Sequence, residues 1–528
     1  MSVLFTSISQ SNPVKKGEVQ QLLQSIGVSV EPDEEDDFQT LLAALHDCAE
    51  TVSRLPDYQP VPDLNRYPRQ NIRRPTPDEQ VLGQAWAHRF LIQGNPDGGI
   101  LAGKTISLKD CIAVAGVPQL LGSDVIPSWT PVSDATVVTR VLDAGADILG
   151  TSTCENFCHS TSSFTSAQGT VENPFASGYS AGGSTSGGAA LVGAGLVDIT
   201  IGGDQGGSVR VPASFCGCVG FKPTYGLVPY SGITSGDAVN DHTGPLARNV
   251  LDVALCLDSI SGYDGMDDRS LGSPPHGSTT YAQALQTGPT RLEGFKIGIL
   301  AEGFEQEIVD PVVKSTVWAA ACKFTDLGAT VDEVSLPEHL HGPAIWTIQQ
   351  RIAGSQNLLG HAHGRRGLSM TEMDRARLPW TNESFQRAFP STKNVLINGM
   401  YLTARFPDLY SKTNNWGRKL RDRYNELFTK YDLVVMPTTP VVAPRHGKWG
   451  LPIDSIRPSM GLTINTAIFN VTGHPAMSLP VGFAPSPDDP QIRLPVGMQI
   501  VGGWWKESEV LRAGHVWETH FNWKDTDL

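Results

Sequence analysis

Residues 178–210 read GYSAGGSTSGGAALVGAGLVDITIGGDQGGSVR and contain too many glycines and hydroxyl side chains for an ordinary helix or strand. Two interpretations fit this composition. One is a set of tight turns; the other is a surface of backbone N–H groups facing developing negative charge, which glycine permits because it has no Cβ. Two glycine clusters within one short segment favour the second interpretation. The segment therefore predicts a catalytic surface built from backbone.

Three known motifs have some likeness to this segment. The phosphate-binding pattern GxxxxGK[ST] is absent because no lysine follows the glycines, and a dinucleotide GxGxxG pattern is not formed either. The letters at 178–182 match GxSxG, but the preceding VENPFAS is a proline-containing loop where a nucleophile elbow needs a strand. The sequence therefore disfavours a nucleotide-binding protein and an α/β-hydrolase nucleophile at Ser180.

The sequence around this segment alternates between short β-branched runs and helical patterns. Such alternation predicts strands joined by crossover helices, hence an α/β fold with a central mixed, mostly parallel sheet covered by helices on both faces. The runs are, in order, KTISLKD, DATVVTRVLDAGA, DILGTS, LVDITIGG, FKIGIL, the helix around 312–327, ATVDEV, the helix through 416–427 and DLVVMPTTP.

The first 85 residues differ from the rest of the chain. Apolar positions from Phe38 to Leu55 follow helical spacing behind an acidic run at 34–37, where negative charge stabilises a helix start. A shorter helix is predicted at 19–26, and a proline-rich connector follows at 56–77. We therefore expect a helical N-terminal appendage over 1–85 and a catalytic domain over 86–528. The apolar stripe either docks on that domain or pairs two chains as a homodimer.

Composition narrows the class of protein. The chain has 528 residues, 40% hydrophobic and 18% charged, with a net charge of −14, which is ordinary for a folded globular protein. An acidic chain lacks the basic surface that nucleic acids need, and no stretch approaches about 18 consecutive apolar residues. Eight scattered cysteines and the absence of a secretion signal at the N-terminus favour a reducing compartment. We therefore expect a cytoplasmic protein that binds neither nucleic acid nor a membrane.

The glycine-rich segment resembles the signature of the amidase signature family. The resemblance rests on GGSTSGG at 182–188, GGSVR at 206–210 and the upstream SLKD at 107–110, with Ser184 and Ser208 at 24 residues' separation, as the family pattern requires. Further stretches that resemble the family are AVAGVP (113–118), DATVV and VLDAGADILG (134–150), FCGCVGFKPTYGLV (215–228), NVTGHPAMSLPVG (470–482) and LPVGMQIVG (494–502). The resemblance covers nearly the whole chain from about residue 85.

The resemblance implies a reaction and its residues. Ser208 is the expected nucleophile, Ser184 relays protons from a cis peptide bond after Gly183, and Lys109 is the expected base. Because an ammonium group has no lone pair, Lys109 has to be buried and neutral when it acts. The implied oxyanion donors are the backbone N–H groups of Gln205, Gly206, Gly207 and Ser208. The resemblance implies no metal and no organic cofactor.

The expected substrate is a small amide whose carbon–nitrogen acyl bond is hydrolysed. The common motifs of the family are GGSSGG and GTDTGGS, whereas this chain has GGSTSGG and GGDQGGS. This variant is similar to the motifs of amidases found beside nitrile-converting enzymes. Specificity is expected in the less family-like stretch 340–420. By position in the related amidases, the acyl pocket is expected to involve Gly183, His159, Trp346 and Ile468, although plain core positions explain the last three equally well.

Three alternatives stay open at this level. A carbamate hydrolase or an aryl acylamidase would use the same nucleophile. The amidase-like subunit of a tRNA-dependent amidotransferase would pass ammonia to a partner enzyme, and a catalytically silent binding protein is the third possibility. Asp204 and Arg210 form either an ion pair that holds the loop or two separate solvated charges. His361 and His363 form either a metal pair or part of a glycine-rich loop.

Overall fold

The computed structural model describes residues 8–125 and 129–525. Residues 1–7 of the predicted appendage lie outside the described residues. The chain divides into two compact units, the first ending at Pro60 and the second beginning at Val61. Nowhere in the described ranges does a helix combine the length and the apolar character needed to cross a membrane.

The first unit contains two helices, α1 (Glu18–Gln24) and α2 (Glu35–Ser53). The acidic run lies in the first turn of α2, as the sequence predicts, because its carboxylates interact favourably with the positive end of the helix dipole. The segment before α1 is tied to α2: the Asn12 amide donates to Ala43 O and to Asp47 Oδ1, both at 2.7 Å.

The second unit contains a mixed sheet of twelve strands within the described residues. The strands are β1 (Gln70–Arg73), β2 (Trp86–Ile92), β3 (Thr105–Lys109), β4 (Asp147–Ser152), β5 (Ile199–Asp204), β6 (Val219–Lys222), β7 (His242–Ala247), β8 (Lys296–Leu300), β9 (Thr330–Val334), β10 (Leu433–Pro437), β11 (Ala476–Pro485) and β12 (Arg493–Gly502). Their order across the sheet is β1-β2-β4-β3-β5-β7-β6-β11-β12-β10-β8-β9.

Fourteen helices of the described residues belong to this second unit. They are α3 (Thr136–Asp143), α4 (Ser186–Gly193), α5 (Arg210–Cys216), α6 (Val250–Ile260), α7 (Tyr281–Thr287), α8 (Pro311–Cys322), α9 (Gly342–Leu358), α10 (Thr371–Arg377), α11 (Asn382–Arg387), α12 (Pro390–Arg405), α13 (Leu409–Leu427), α14 (Pro452–Ile456), α15 (Ile468–Thr472) and α16 (Glu507–His520). The stretch 340–420 thus consists mainly of helices, and His361 and His363 lie in the loop between α9 and α10.

The sequence placed the boundary between the two units at residue 85. In the structure it lies earlier, between Pro60 and Val61. Strand β1, inside the stretch assigned to the connector, pairs with β2 at the edge of the sheet. Tyr67 is buried, and its hydroxyl donates to Asp143 Oδ1 at 2.6 Å. These contacts join residues 61–85 to the second unit.

The α/β class and the mixed sheet are confirmed, but the sheet is not mostly parallel. Four neighbouring pairs are parallel, namely β3 with β4, β3 with β5, β8 with β9 and β8 with β10. The other seven pairs are antiparallel. The parallel groups are the segments in which strand and helix alternate, such as β3-α3-β4 and β8-α8-β9. Strands β11 and β12 are joined by a short link, which an antiparallel pair permits.

Helices lie on both faces of the sheet, as the sequence predicted. On β12, Gly497 packs against Ser214 of α5, and Gln499 accepts a hydrogen bond from Arg210 at the start of the same helix. On β11, Met477 packs against Gly514 of α16. Met477 pairs with Ile500, and Ile500 points away from Gln499 because successive side chains alternate between faces. Helices α5 and α16 therefore cover opposite faces.

Candidate active site

Lys109 is the last residue of β3 and is fully buried. The neighbouring strand β5 runs parallel to β3 and ends at Asp204, so the carboxyl ends of both strands meet at one edge of the sheet. In open α/β sheets this edge commonly carries the ligand site. The Lys109 Nζ donates to the Ser184 Oγ at 2.8 Å and to the Gly203 carbonyl oxygen at 3.3 Å.

Ser184 and Ser208 continue this chain of hydrogen bonds. The peptide bond between Gly183 and Ser184 is cis, and the Ser184 Oγ lies 2.9 Å from the Ser208 Oγ. Ser184 is fully buried, whereas Ser208 keeps 7% of its surface exposed. The structure thus brings the three residues together although they are far apart in sequence. Ser208 is the member of the chain that remains accessible to a small molecule.

The backbone N–H groups of residues 205–208 differ in their availability. The Gly207 N–H donates to Asp204 Oδ1 at 2.8 Å, so it is occupied by the protein itself. Within the described residues, the N–H groups of Gln205, Gly206 and Ser208 donate to no other group. The set of donors free to meet an oxyanion is therefore smaller than the sequence predicted, because Gly207 instead fastens the loop to Asp204.

Asp204 and Arg210 form a buried ion pair, the first of the two arrangements left open by the sequence. Arg210 Nη2 lies 2.8 Å from Asp204 Oδ1, and both side chains are fully buried. Burial alone would raise the pKa of Asp204, but the Arg210 charge and hydrogen bonds from Arg210 and Asn470 hold it well below its usual range. Asp204 also accepts from the Val209 N–H at 3.1 Å. The pair therefore fixes both ends of the 205–208 loop.

We expect Arg210→Met to destabilise the protein strongly. The variant leaves Asp204 buried without its counter-ion, a loss that typically costs about 3 to 5 kcal/mol. The midpoint of thermal unfolding should fall by several degrees. The double variant Asp204→Asn/Arg210→Met should regain part of that loss, since it also removes the uncompensated charge. A single variant as stable as the wild type would contradict the assigned role of the pair.

Trp346 covers the glycine loop from α9. Its indole N–H donates to the Gln205 carbonyl oxygen at 2.7 Å, and a Cβ placed on Gly206 would lie 2.3 Å from the indole ring. On the other side, the Thr466 hydroxyl donates to the Gly206 carbonyl oxygen at 2.7 Å. Gly206 is therefore held between two side chains and has no room for a side chain of its own.

Three cysteines near Lys109 influence its pKa. Burial alone would lower the pKa of Lys109, but the negative charge of a Cys158 thiolate, with a contribution from Asp204, outweighs burial and raises the pKa. The pKa values of the Cys111 and Cys154 thiols are themselves raised, so these two groups remain protonated donors. Hydrogen bonds from Cys111 and Cys154 lower the pKa of Cys158 well below its usual range. The raised pKa favours the ammonium form of Lys109, which donates to Ser184.

A cavity of about 630 Å³ approaches the glycine loop through Gly236, but Lys109, Ser184 and Ser208 do not line it. Gly236 lines this cavity, and a Cβ on Gly236 would lie 3.5 Å from the Gln205 side chain. The wall includes Ile233, Ile352, Met370 and Met373 together with charged residues. Those charges are paired within the protein, as the ion pairs of Arg269, Arg365 and Arg377 with aspartates show. The cavity therefore has a wall of mixed polar and apolar side chains, with no unpaired charge among these arginines.

The remaining residues predicted for the acyl pocket are Gly183, His159 and Ile468, and each has different surroundings. Gly183 precedes Ser184, and a Cβ there would lie 2.3 Å from the Ser162 carbonyl oxygen. His159 lines a small neighbouring cavity with Gly236, and burial lowers its pKa to about 4, so its ring is neutral at pH 7. Ile468 is fully buried and packs against Gly342 at the start of α9.

Several residues of the site were not found from the sequence. Thr466, Asn470 and Gln499 reach the loop or its ion pair from segments more than 250 residues away. Asn470 donates to the Asp204 carbonyl oxygen at 2.7 Å. No local pattern identifies such residues, because a single asparagine or threonine has no periodicity. Asn470 opens the quoted NVTGHP stretch, which was the one available signal.

The family model described as Amidase matches residues 79–511. The chain belongs to the amidase family. The enantioselective amidase of Rhodococcus rhodochrous is 38% identical over 417 residues, which cover 77% of each chain. A glutamyl-tRNA(Gln) amidotransferase subunit of Methanosarcina acetivorans is 35% identical over 86% of this chain and 90% of its own. The solved structure of a bacterial aryl acylamidase of the amidase signature enzymes is 25% identical, with a TM-score of 0.64, and the match covers 81% of this chain and 84% of that one.

Membership confirms the resemblance seen in the sequence and the fold expected from it. This amidase is a hydrolase that acts on non-peptide carbon–nitrogen bonds. The matched residues include the strand that carries Lys109, the segment with Ser184 and Ser208, and the helices over the cavity. Its relatives include both an enantioselective amidase and amidotransferase subunits.

Proposed function

We propose that the protein hydrolyses small, uncharged carboxylic amides to a carboxylate and ammonia or an amine, through an acyl-enzyme on Ser208. The observation that carries the proposal is the buried chain Lys109–Ser184–Ser208, with heavy-atom distances of 2.8 and 2.9 Å. A serine hydroxyl needs a base to become a nucleophile, and a proton chain ending in an amine supplies one.

The direction of the hydrogen bonds describes the resting state. Lys109 donates to Ser184, and Ser184 donates to Ser208, as an ammonium group requires because it has no acceptor. When Lys109 loses a proton the chain reverses, and Ser208 donates to Ser184, which donates to the free amine. The Ser208 Oγ then attacks the amide carbon while its proton moves to Ser184 and the Ser184 proton moves to Lys109.

The tetrahedral intermediate carries its negative charge on the former carbonyl oxygen. The free N–H groups of Gln205, Gly206 and Ser208 are the donors we assign to it, with Gly207 as a positioning residue. One such donor is typically worth about 3 kcal/mol. Ser184 returns a proton to the leaving nitrogen and the carbon–nitrogen bond breaks. Water then repeats the sequence on the ester and releases the carboxylate, with protein side chains as the only acids and bases.

We expect Cys158→Ser to shift the pH profile of kcat/KM towards lower pH. Activity requires a neutral Lys109, so it should rise with pH as the proton is lost, and a raised pKa moves this rise into the alkaline range. Negative charge on Cys158 contributes to that raised pKa, and a serine at 158 removes it. The measurement is kcat/KM between about pH 7 and about pH 12, on either side of the ordinary lysine pKa, against Cys322→Ser, an exposed cysteine. An unshifted Cys158→Ser profile would contradict the electrostatic account.

The apolar part of the cavity wall, with Ile233, Ile352, Met370 and Met373, supports an aryl or alkyl amide as the substrate. The cavity volume of about 630 Å³ lies within the range usual for small-molecule sites. The internal pairing of its arginines supports a neutral group rather than a charged one, because a charged ligand would compete with existing ion pairs. Trp346, His159, Ile468 and Gly183 do not line this cavity. We assign them to the acyl end of the site, where the Trp346 indole bonds the Gln205 carbonyl oxygen and Gly183 precedes Ser184.

Carbamate hydrolysis and aryl acylamidase activity are the nearest alternatives, since both use the same nucleophile and base. A second candidate from a different class is the role of the amidase-like subunit in a tRNA-dependent amidotransferase, favoured by relatives such as that of Methanosarcina acetivorans at 35% identity. The GGDQGGS loop and the separate unit before Val61 favour the free-standing amidase. Copurification of a partner protein would favour the amidotransferase.

The test measures ammonia or amine release from benzamide, a branched aliphatic amide, an anilide, ethyl carbamate and glutamine. We expect turnover of benzamide or the aliphatic amide, and none of glutamine. Preferential turnover of the anilide or of ethyl carbamate would instead support the aryl acylamidase or the carbamate hydrolase. Turnover of glutamine alone would support the amidotransferase role. Activity on none of them would contradict the proposed substrate class.

Two further expectations accompany the proposal. Pairing of two chains through α1 and α2 predicts a dimer in solution that becomes a monomer when residues 1–60 are removed. Light scattering after gel filtration distinguishes the two states. A cytoplasmic location stays a prediction from the sequence.

A further inference from the structure

A second cavity, of about 310 Å³, lies at α13 and the segment after α15. We call it the Arg418 cavity. None of its lining residues belongs to the Lys109–Ser184–Ser208 chain. The lining residues are Tyr225, Val239, Gln349, Asn414, Gly417, Arg418, Arg421, Asn470, Val471, Thr472, Gly473 and Trp504.

The charge of the Arg418 cavity is opposite to that of the protein. The chain carries a net charge of −14, yet the wall of this cavity contains two arginines and no carboxylate. Within the described residues Arg418 makes no ion pair or side-chain hydrogen bond, and it is exposed. The ion pair of Arg421 is with Asp422 at 3.3 Å, and both side chains are well exposed. Such a pair is weak, so both guanidinium groups remain available to an anion.

The same cavity contains a fixed aromatic wall. The Trp504 indole N–H donates to the Thr472 carbonyl oxygen at 2.8 Å, and a Cβ on Gly473 would lie 2.6 Å from the indole ring. The guanidinium carbon of Arg421 lies 5.9 Å from the centre of that ring. The Tyr225 hydroxyl donates to the Ala238 carbonyl oxygen at 2.7 Å. Hydrogen bonds therefore fix the Trp504 and Tyr225 side chains, and the Trp504 indole lies beside the Arg421 guanidinium group.

We propose that the Arg418 cavity is a binding site for a small aromatic carboxylate. A planar carboxylate matches the fork of a guanidinium group, and an aromatic ring gains from contact with the anchored indole. A volume near 310 Å³ is at the small end of ligand sites and suits a single-ring molecule.

Asn470 connects this site to the catalytic loop. It lines the Arg418 cavity, and its side chain also bonds Asp204 and Arg210, with 2.7 Å from Arg210 Nη2 to its Oδ1. A ligand in the Arg418 cavity thus lies one side chain away from the ion pair that holds residues 205–208. The binding proposal itself does not depend on the proposed reaction.

The test is calorimetric titration of the full chain with sodium benzoate. We expect the double variant Arg418→Gln/Arg421→Gln to lose one binding event, with Kd for that event weaker by about 10-fold or more, the size of loss that charge-assisted hydrogen bonds give. Arg405→Gln is the matched control, because Arg405 is an exposed arginine at the end of α12. Its Kd should equal that of the wild type.

Three results would overturn the proposal. The first is that the double variant binds benzoate with wild-type Kd and stoichiometry. The second is that the wild type binds no benzoate up to about 10 mM. The third is that inorganic phosphate binds as tightly as benzoate, because the aromatic ring would then contribute nothing to binding. If the double variant unfolds, the single variant Arg418→Glu is tested instead. Arg418 is exposed, so this substitution changes the charge without loss of packing. We expect that single charge reversal to weaken benzoate binding as well.

Discussion

Replacing Ser208 with alanine is expected to lower kcat/KM for every amide substrate by about 10⁵-fold or more. Removal of a nucleophilic serine from a comparable triad costs a factor of this size. Ser208 lies at the exposed end of the Lys109–Ser184 chain, 2.9 Å from the Ser184 Oγ, and its hydroxyl is the group that forms the acyl-enzyme. The remaining activity would come from the N–H donors and substrate binding alone.

The control for this variant is Ser259→Ala. Ser259 is a buried serine on α6 whose hydroxyl donates to the Leu255 carbonyl oxygen at 2.9 Å. Both variants lose one buried hydroxyl, so an effect on packing would appear in both. A Ser208→Ala enzyme that keeps more than about one-hundredth of wild-type kcat/KM would contradict the nucleophile assignment, since loss of a nucleophile costs far more.

The second large effect is expected at Lys109. Lys109→Ala should lower kcat/KM by about 10³-fold, within the range for loss of a positioned base, and should remove the rise of activity with pH. Lys109→Arg should be inactive to a similar degree. A guanidinium group keeps the positive charge but does not give up a proton in proteins, so it cannot act as a base.

The pair of Lys109 variants separates chemistry from structure. Lys109 is fully buried and donates to Ser184 and Gly203, so the alanine variant also loses hydrogen bonds. The arginine variant retains a donor and a charge at the same position. Thermal unfolding of both variants measures the structural cost. If Lys109→Arg kept activity within about 10-fold of the wild type, Lys109 would not be the base.

The sequence predicted the elements that follow a periodic pattern. The runs KTISLKD, DILGTS and LVDITIGG became β3, β4 and β5. The resemblance to the amidase signature pointed to Ser184 and Ser208, whose hydroxyls lie 2.9 Å apart. Their approach to Lys109 follows from the parallel pairing of β3 with β5. These features are local or depend on neighbouring strands, so residue patterns determine them.

Features that depend on distant packing were missed or wrong. The antiparallel centre of the sheet joins β7, β6, β11 and β12, and no run of residues states which strands become neighbours. The role of Gly207 changed because its N–H bonds Asp204, a contact that depends on the position of the Arg210 side chain. Thr466 and Asn470 reach the loop through tertiary packing alone.

The most direct measurement is the mass of the enzyme during turnover. The wild type is mixed with benzamide or another amide that it turns over, quenched in acid within milliseconds to seconds, and analysed intact and after peptide digestion. The account predicts an adduct with the mass of the acyl group on the peptide that contains Ser208, absent from Ser208→Ala. Full turnover with no adduct on Ser208, or an adduct of equal yield in Ser208→Ala, would contradict it.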